Sequence, residues 1–194
     1  MTPSRSETTQ ELLDRRAIRD CIYRYARGLD RHDDDLLTTA FHPDGIDNHG
    51  YWVGRRPEFV QWANHEVHDP YLQHNHHMTG HWAEIEGDTA HSETYVIFVL
   101  RHSDRKTVRI GFGRYIDRLE RRDGDWRIAL RRLVLDGRMV ADGSVFSNDD
   151  MYFHGTWDRS DLSYTRPEGV PQSLKDRVAA MAPAPAPANG GQAQ

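Results

Sequence analysis

Twelve histidines stand among 194 residues, and six of them fall between His65 and His81. Imidazole is the commonest metal ligand and the side chain that changes charge nearest neutral pH, so the cluster admits two chemistries. The first is a metal. His65 and His68 are three apart on an expected helix, and His74, His76 and His77 resemble a chelating run. Alternate residues of a strand face opposite sides, which puts His74 and His76 on one face and His77, Thr79 and His81 on the other. No single face then gathers three ligands, and neither a metal nor any other cofactor is expected. The second chemistry is one histidine working with a carboxylate. Tyr25 and Asp30 stand near the end of an expected first helix, where five residues turn about 140°. They share a face only if the helix end unwinds, which Gly28 would ease. His49 is a further acid or base candidate on a short expected strand.

The elements that must position these groups follow from hydrophobic period. Ile18, Ile22, Tyr25 and Leu29, with Leu13, Ala17 and Cys21 on the adjoining stripe, predict a first helix with one broad buried face. The run Asp33-Asp34-Asp35 can cap a second short helix through Leu36, Leu37, Ala40 and Phe41. His42-Pro43-Asp44-Gly45 is expected to break the chain before a strand over residues 46–53. Pro57 suits the first turn of a third helix over residues 58–67. The period then changes to β. Four runs, residues 74–86, 89–102, 106–121 and 125–138, are separated by short turns, of which Asp123-Gly124 is the strongest hairpin signal. Helices followed by an antiparallel meander predict an α+β domain.

Length and composition narrow the function classes. A chain of 194 residues is one domain with tails. Residues 1–9 form an expected flexible start, 10–173 the domain, and 174–194 an Ala/Pro-rich tail expected to be disordered. Within the domain, residues 151–169 are aromatic and are expected to cover a pocket mouth or a neighbouring subunit. With 25 Lys+Arg against 30 Asp+Glu the net charge is -5, which disfavours nucleic acid. No apolar run has signal-peptide or membrane-spanning length, so a cytoplasmic protein without a membrane partner is expected. The one cysteine, Cys21, reads as inert core.

Residues 13–20 (LDRRAIRD) and 23–30 (YRYARGLD), the segment His77-Met78-Thr79-Gly80-His81, and residues 113–118 and 125–131 resemble SnoaL-like proteins of the nuclear transport factor 2-like superfamily. The resemblance covers about residues 11–136. It implies a cone-shaped α+β barrel of helices on a strongly curved, mainly antiparallel sheet. It also implies kinship with the scytalone dehydratase, bile acid 7α-dehydratase and lindane dehydrochlorinase branch, whose members work without a cofactor and form trimers, or dimers elsewhere in the superfamily. His77 and Asp30 match that branch's histidine and acid, and Tyr25 stands five residues before the acid.

On that basis His77 is the expected general base, Asp30 fixes its tautomer, and Tyr25 polarises a carbonyl or protonates a leaving oxygen. Arg131, or Arg132 if the register slips by one, is expected to stabilise an enolate. Trp52, Phe59, Trp62, Tyr95 and Phe112 are expected pocket walls, with His49 among them. The expected activity is a hydro-lyase dehydrating a small, hydrophobic, cyclic hydroxy-carbonyl substrate of steroid or polyketide kind. The alternatives are a noncatalytic assembly subunit, such as the small subunit of a ring-hydroxylating dioxygenase, an isomerase or cyclase of the same fold, and a metal enzyme using residues 65–81.

Overall fold

The computed structural model describes residues 7–144, 153–165 and 170–181, which divide into two compact units, 1–161 and 162–194. Helix α1 (Thr9–Asp30) starts at a capping box in which Thr8 and Glu11 satisfy each other's backbone N–H groups. Its buried face carries Ile18, Cys21, Ile22, Tyr25 and Leu29, as the period requires. Asp33 caps helix α2 (Asp34–Thr39) by accepting the Leu36 N–H. Gly28 does not unwind α1, which continues to Asp30. A Cβ at Gly28 would lie 2.7 Å from the Leu37 backbone, so this glycine lets α2 approach closely.

Strand β1 (Phe41–Asn48) absorbs the expected chain break, with a register shift between Phe41 and Ile46 where Pro43 and Gly45 sit. Strand β2 (Val53–Arg55) leads into α3 (Arg56–Trp62), and a π-helical turn, Ala63–Val67, follows it. Four long strands complete the sheet: β3 (Tyr71–Glu86), β4 (Thr89–His102), β5 (Thr107–Arg122) and β6 (Asp125–Asp142). Asp123 and Gly124 both take positive φ, as a tight hairpin turn demands. The spatial order is β2-β1-β6-β5-β4-β3, antiparallel throughout except for the parallel β1–β6 pair. Bulges bend it. At the one between Phe112 and Gly113, a Cβ on Gly113 would stand 2.2 Å from the Val134 carbonyl oxygen.

The helices pack on the concave face, and Ile18, Ile22, Leu29, Leu37, Phe41, Leu119, Trp126 and Ile128 form the core. Asp14 on α1 pins the helix to the β5–β6 hairpin by accepting from Trp126 Nε1 (2.9 Å) and Arg121 Nη1 (2.9 Å). The first unit is thus helices on a curved, six-stranded, mostly antiparallel sheet, an α+β cone. In the second unit a 3-10 turn (Leu162–Tyr164) precedes α4 (Gln172–Met181), so the expected tail opens with a helix. Of the aromatic segment, residues 151–152 and 166–169 lie outside the described residues.

Candidate active site

The concave face of the sheet encloses a cavity of about 410 Å³, within the range of small-molecule sites. Tyr25 and Leu29 of α1 line it, with Phe59, Trp62 and Val67 from α3 and its π turn. The sheet adds His76, Phe98, Tyr115, Leu133 and Leu135, while Tyr51, Arg138, Met139 and Val140 are exposed residues of the same lining.

Asp30 ends α1 beside β3. Its carboxylate accepts the His76 backbone N–H (2.9 Å) and the Nδ1–H groups of His76 (2.7 Å) and His74 (3.2 Å). Burial alone would raise the Asp30 pKa, but the facing His76 and these hydrogen bonds override it and hold the carboxyl well below the usual range. An ionised Asp30 fixes His76 as the Nδ1–H tautomer and leaves Nε2 as its basic nitrogen. His74 has the same tautomer, so its Nε2 accepts from His32 Nε2 at 2.9 Å. His32 takes a positive φ of 47° in the turn after α1, an uncommon conformation for a residue with a Cβ, and its ring stacks on Trp157 at 4.1 Å. Burial, then the neighbouring His74, pushes His32 down to about 4. Burial likewise lowers His74 and, well below its ordinary value, His68. These three imidazoles are neutral near pH 7.

His77 is not in the cavity. It is exposed on the convex face opposite the exposed Ile97 of β4, while His76 bonds Asp30. Strand β3 reaches the cavity through His76 rather than His77, because successive side chains of a strand point oppositely. A bulge between Met78 and His81 adds one residue to β3 and reverses the parity beyond it. His81 therefore returns to the concave side and meets the buried Thr94 at 2.9 Å. The metal argument from one strand face also needs correction. Asp30, His74 and His76 bring three ligand atoms within 4.8 Å of one another, because the third comes from a helix.

Arg131 points into the cone, and Arg132 is exposed. Yet Arg131 does not line the cavity. Fully buried, it donates Nε–H and Nη2–H to Asp117 at 2.8 and 2.6 Å, and its guanidinium lies between the rings of Tyr25 (3.9 Å) and Tyr115 (4.1 Å). It is a support behind the two tyrosines rather than a direct contact for an enolate. Burial, then Tyr115 and Asp47, pushes the Tyr25 hydroxyl well above its ordinary value, and burial, opposed by Arg131, takes Tyr115 up to about 12. Both are neutral donors at working pH. The Tyr25 and Tyr115 hydroxyls face each other at the cavity, and each affects how readily the other loses its proton.

Of the expected walls, Phe59, Trp62 and His49 line the cavity. Trp52 stacks behind Trp62 at 4.5 Å, while Tyr95 and Phe112 are exposed on the convex face. Tyr115, Phe98, Asp47 and Asp117 were not singled out from the sequence, and His68 only as a candidate metal ligand. Tyr115 and Asp117 share parity on one strand, the signal that could have found them.

Residues 10–132 match the SnoaL-like domain family. No curated protein matches the chain significantly. Among solved structures, a Mycobacterium tuberculosis protein of unknown function, Rv3472, is 28% identical, with a TM-score of 0.60 over 69% of this chain and 78% of that one. A candidate scytalone dehydratase from Novosphingobium aromaticivorans is 18% identical (TM-score 0.63; 74% and 100% covered). The hexachlorocyclohexane dehydrochlorinase LinA type 3 of Novosphingobium barchaimii is 20% identical (TM-score 0.65; 71% and 97% covered).

Proposed function

The chain belongs to the SnoaL-like family, and from that premise we propose that it is a lyase that removes a proton α to a carbonyl of a small cyclic substrate and expels a β-hydroxyl as water. One observation carries this reading: His76, on the cavity wall, has Nδ1 committed to an ionised, part-buried Asp30. Its Nε2 is then the ring nitrogen left to take a proton from the substrate. Asp30 stabilises the imidazolium that forms, and the neighbouring Tyr25 and Tyr115 hydroxyls on the cavity wall donate to the carbonyl oxygen as negative charge develops there. Aromatic walls suit a ring-bearing substrate and exclude water from the charge interactions.

The test is turnover of a panel of steroid and polyketide β-hydroxy ketones by wild type, His76→Ala and His77→Ala. His76→Ala is expected to lose activity and His77→Ala to keep it; equal turnover by wild type and His76→Ala would remove His76 as the base. Product identity separates elimination from isomerisation or cyclisation, which share the first proton transfer.

The convex face supports an oligomer of this chain, a trimer or a dimer. Tyr95, Ile97 and Phe112 are about half exposed there, and Ile97 and Phe112 are paired neighbours across β4 and β5. Light scattering measures the assembly, and Ile97→Lys is expected to weaken it. No described helix is long and apolar enough to cross a membrane. A cytoplasmic location is part of the proposal, and cell fractionation tests it.

A further inference from the structure

The cavity has a second histidine–carboxylate pair that the reading above does not use. His49 follows β1 and lines the cavity, and its Nδ1 is engaged by Asp47 Oδ1. Asp47 is fully buried at the end of β1. With Nδ1 engaged, Nε2 is the ring nitrogen left for a ligand. Phe59 stacks on the imidazole at 5.9 Å and Trp62 flanks it at 5.3 Å, so the ring is held as firmly as that of His76. Strands β1 and β3 stand near opposite ends of the sheet order, so the two imidazoles reach the cavity from different walls.

The two pairs differ in how their carboxylates are satisfied. Asp30 takes three N–H donors, two from imidazoles and one from backbone. Asp47 has His49 as its hydrogen-bond partner, and its Oδ2 has none among the described residues. Beside it lie Asp117 and Arg131, also fully buried and already paired with each other. The His49 ring, which faces the cavity, is therefore what answers the Asp47 carboxylate.

Building on the elimination reading, we infer that His49 is the acid that protonates the leaving group, with Asp47 as its positioning residue. His76 Nε2 takes the proton from the carbon α to the carbonyl, and that C–H pair becomes the new C=C bond. The C–O bond at the β carbon breaks, and its oxygen takes the Nε2 proton of His49 and departs as water. His76 ends as imidazolium and His49 neutral. Proton exchange with solvent resets both.

The experiment compares two substrates on one ring, a β-hydroxy ketone and its β-(4-nitrophenoxy) analogue, whose phenolate departs without a proton. Wild type, His49→Gln, Asp47→Asn and His76→Ala are assayed on both, with thermal unfolding as a check on the fold. His49→Gln is expected to slow the alcohol by about 10²–10⁴-fold and the aryl ether by less than about tenfold. Asp47→Asn is expected to show the same selectivity to a smaller degree, and His76→Ala to lose both substrates. Equal loss on both by His49→Gln, or no loss on the alcohol, overturns the assignment while His76→Ala still upholds elimination. Wild type inert on both, or His76→Ala active on both, overturns elimination and this inference with it.

Discussion

Replacing Asp30 by Asn tests the electrostatic core of the mechanism with almost no change of volume. The carboxylate oxygen lies 2.7 Å from His76 Nδ1. Allowing for delocalisation in both groups, the charges of carboxylate and imidazolium are centred about 4 Å apart, worth about 4 kcal/mol at an effective dielectric constant of about 20. That attraction exists only once His76 has taken the substrate proton, so its loss should raise the barrier and leave ground-state binding alone. The expected result is a fall of about 10³ in kcat with KM within about threefold. Asn can still accept the His76 backbone N–H, so the thermal midpoint should stay near that of wild type while turnover collapses. Steady-state kinetics on whichever β-hydroxy ketone the panel identifies, read beside a melting curve, make the measurement. A fall in kcat of less than about tenfold would show that Asp30 is not the counter-ion of a transient imidazolium, and the mechanism as derived would fail.

Three further outcomes follow from the structure. Because His32 is held neutral down to about 4, between pH 4 and the ordinary histidine value the unfolded chain binds a proton that the folded one refuses. Stability should therefore fall as pH drops from about 6.5 to 4, by at most about 3 kcal/mol, discounted to about 1 kcal/mol for the ring's half exposure; urea titrations of wild type and His32→Gln should differ in slope with pH, and identical slopes would refute this. Arg131→Met strands Asp117 in the core and should cost about 3–5 kcal/mol in urea unfolding, with the double variant carrying Asp117→Asn recovering part of it; a near-neutral single variant would contradict the buried pair. Gly28→Ala forces α1 and α2 apart and should destabilise by about 1–3 kcal/mol, a calorimetric shift that Gly80→Ala, whose Cβ would meet only the Tyr95 ring at 3.5 Å, should not reproduce.

Much of the fold was legible because it is written in short-range patterns. The i, i+4 stripe of Ile18, Ile22 and Leu29, the Asp33 cap and the Asp123-Gly124 turn are local signals, and each appears in the structure. Asp30 was joined to a β3 histidine only through the family resemblance, because the two lie 46 residues apart and no local pattern links them. What failed depended on longer-range geometry. Gly28 looked like a helix breaker, yet its reason lies nine residues away at Leu37, a contact no local pattern encodes. The chain break at Pro43 became a bulged strand because its parallel partner, β6, arrives from more than eighty residues downstream.

The histidine run shows the same limit within a single strand. Strand parity correctly separated His76 from His77, but parity alone cannot say which set faces inward, and one added residue between Met78 and His81 inverts it again. What decides is the anchor at the other end: the Asp30 carboxylate takes both the backbone N–H and the Nδ1–H of His76, and that pair of bonds locks one register. The carboxylate proposed to assist His76 is therefore also the device that sets the strand's phase. A one-residue slip would put His77 where His76 stands and Asn75 where His74 stands, costing Asp30 its His74 donor and exposing His76. Because breaking such a buried arrangement costs several kcal/mol, register and reactivity are held by the same interaction.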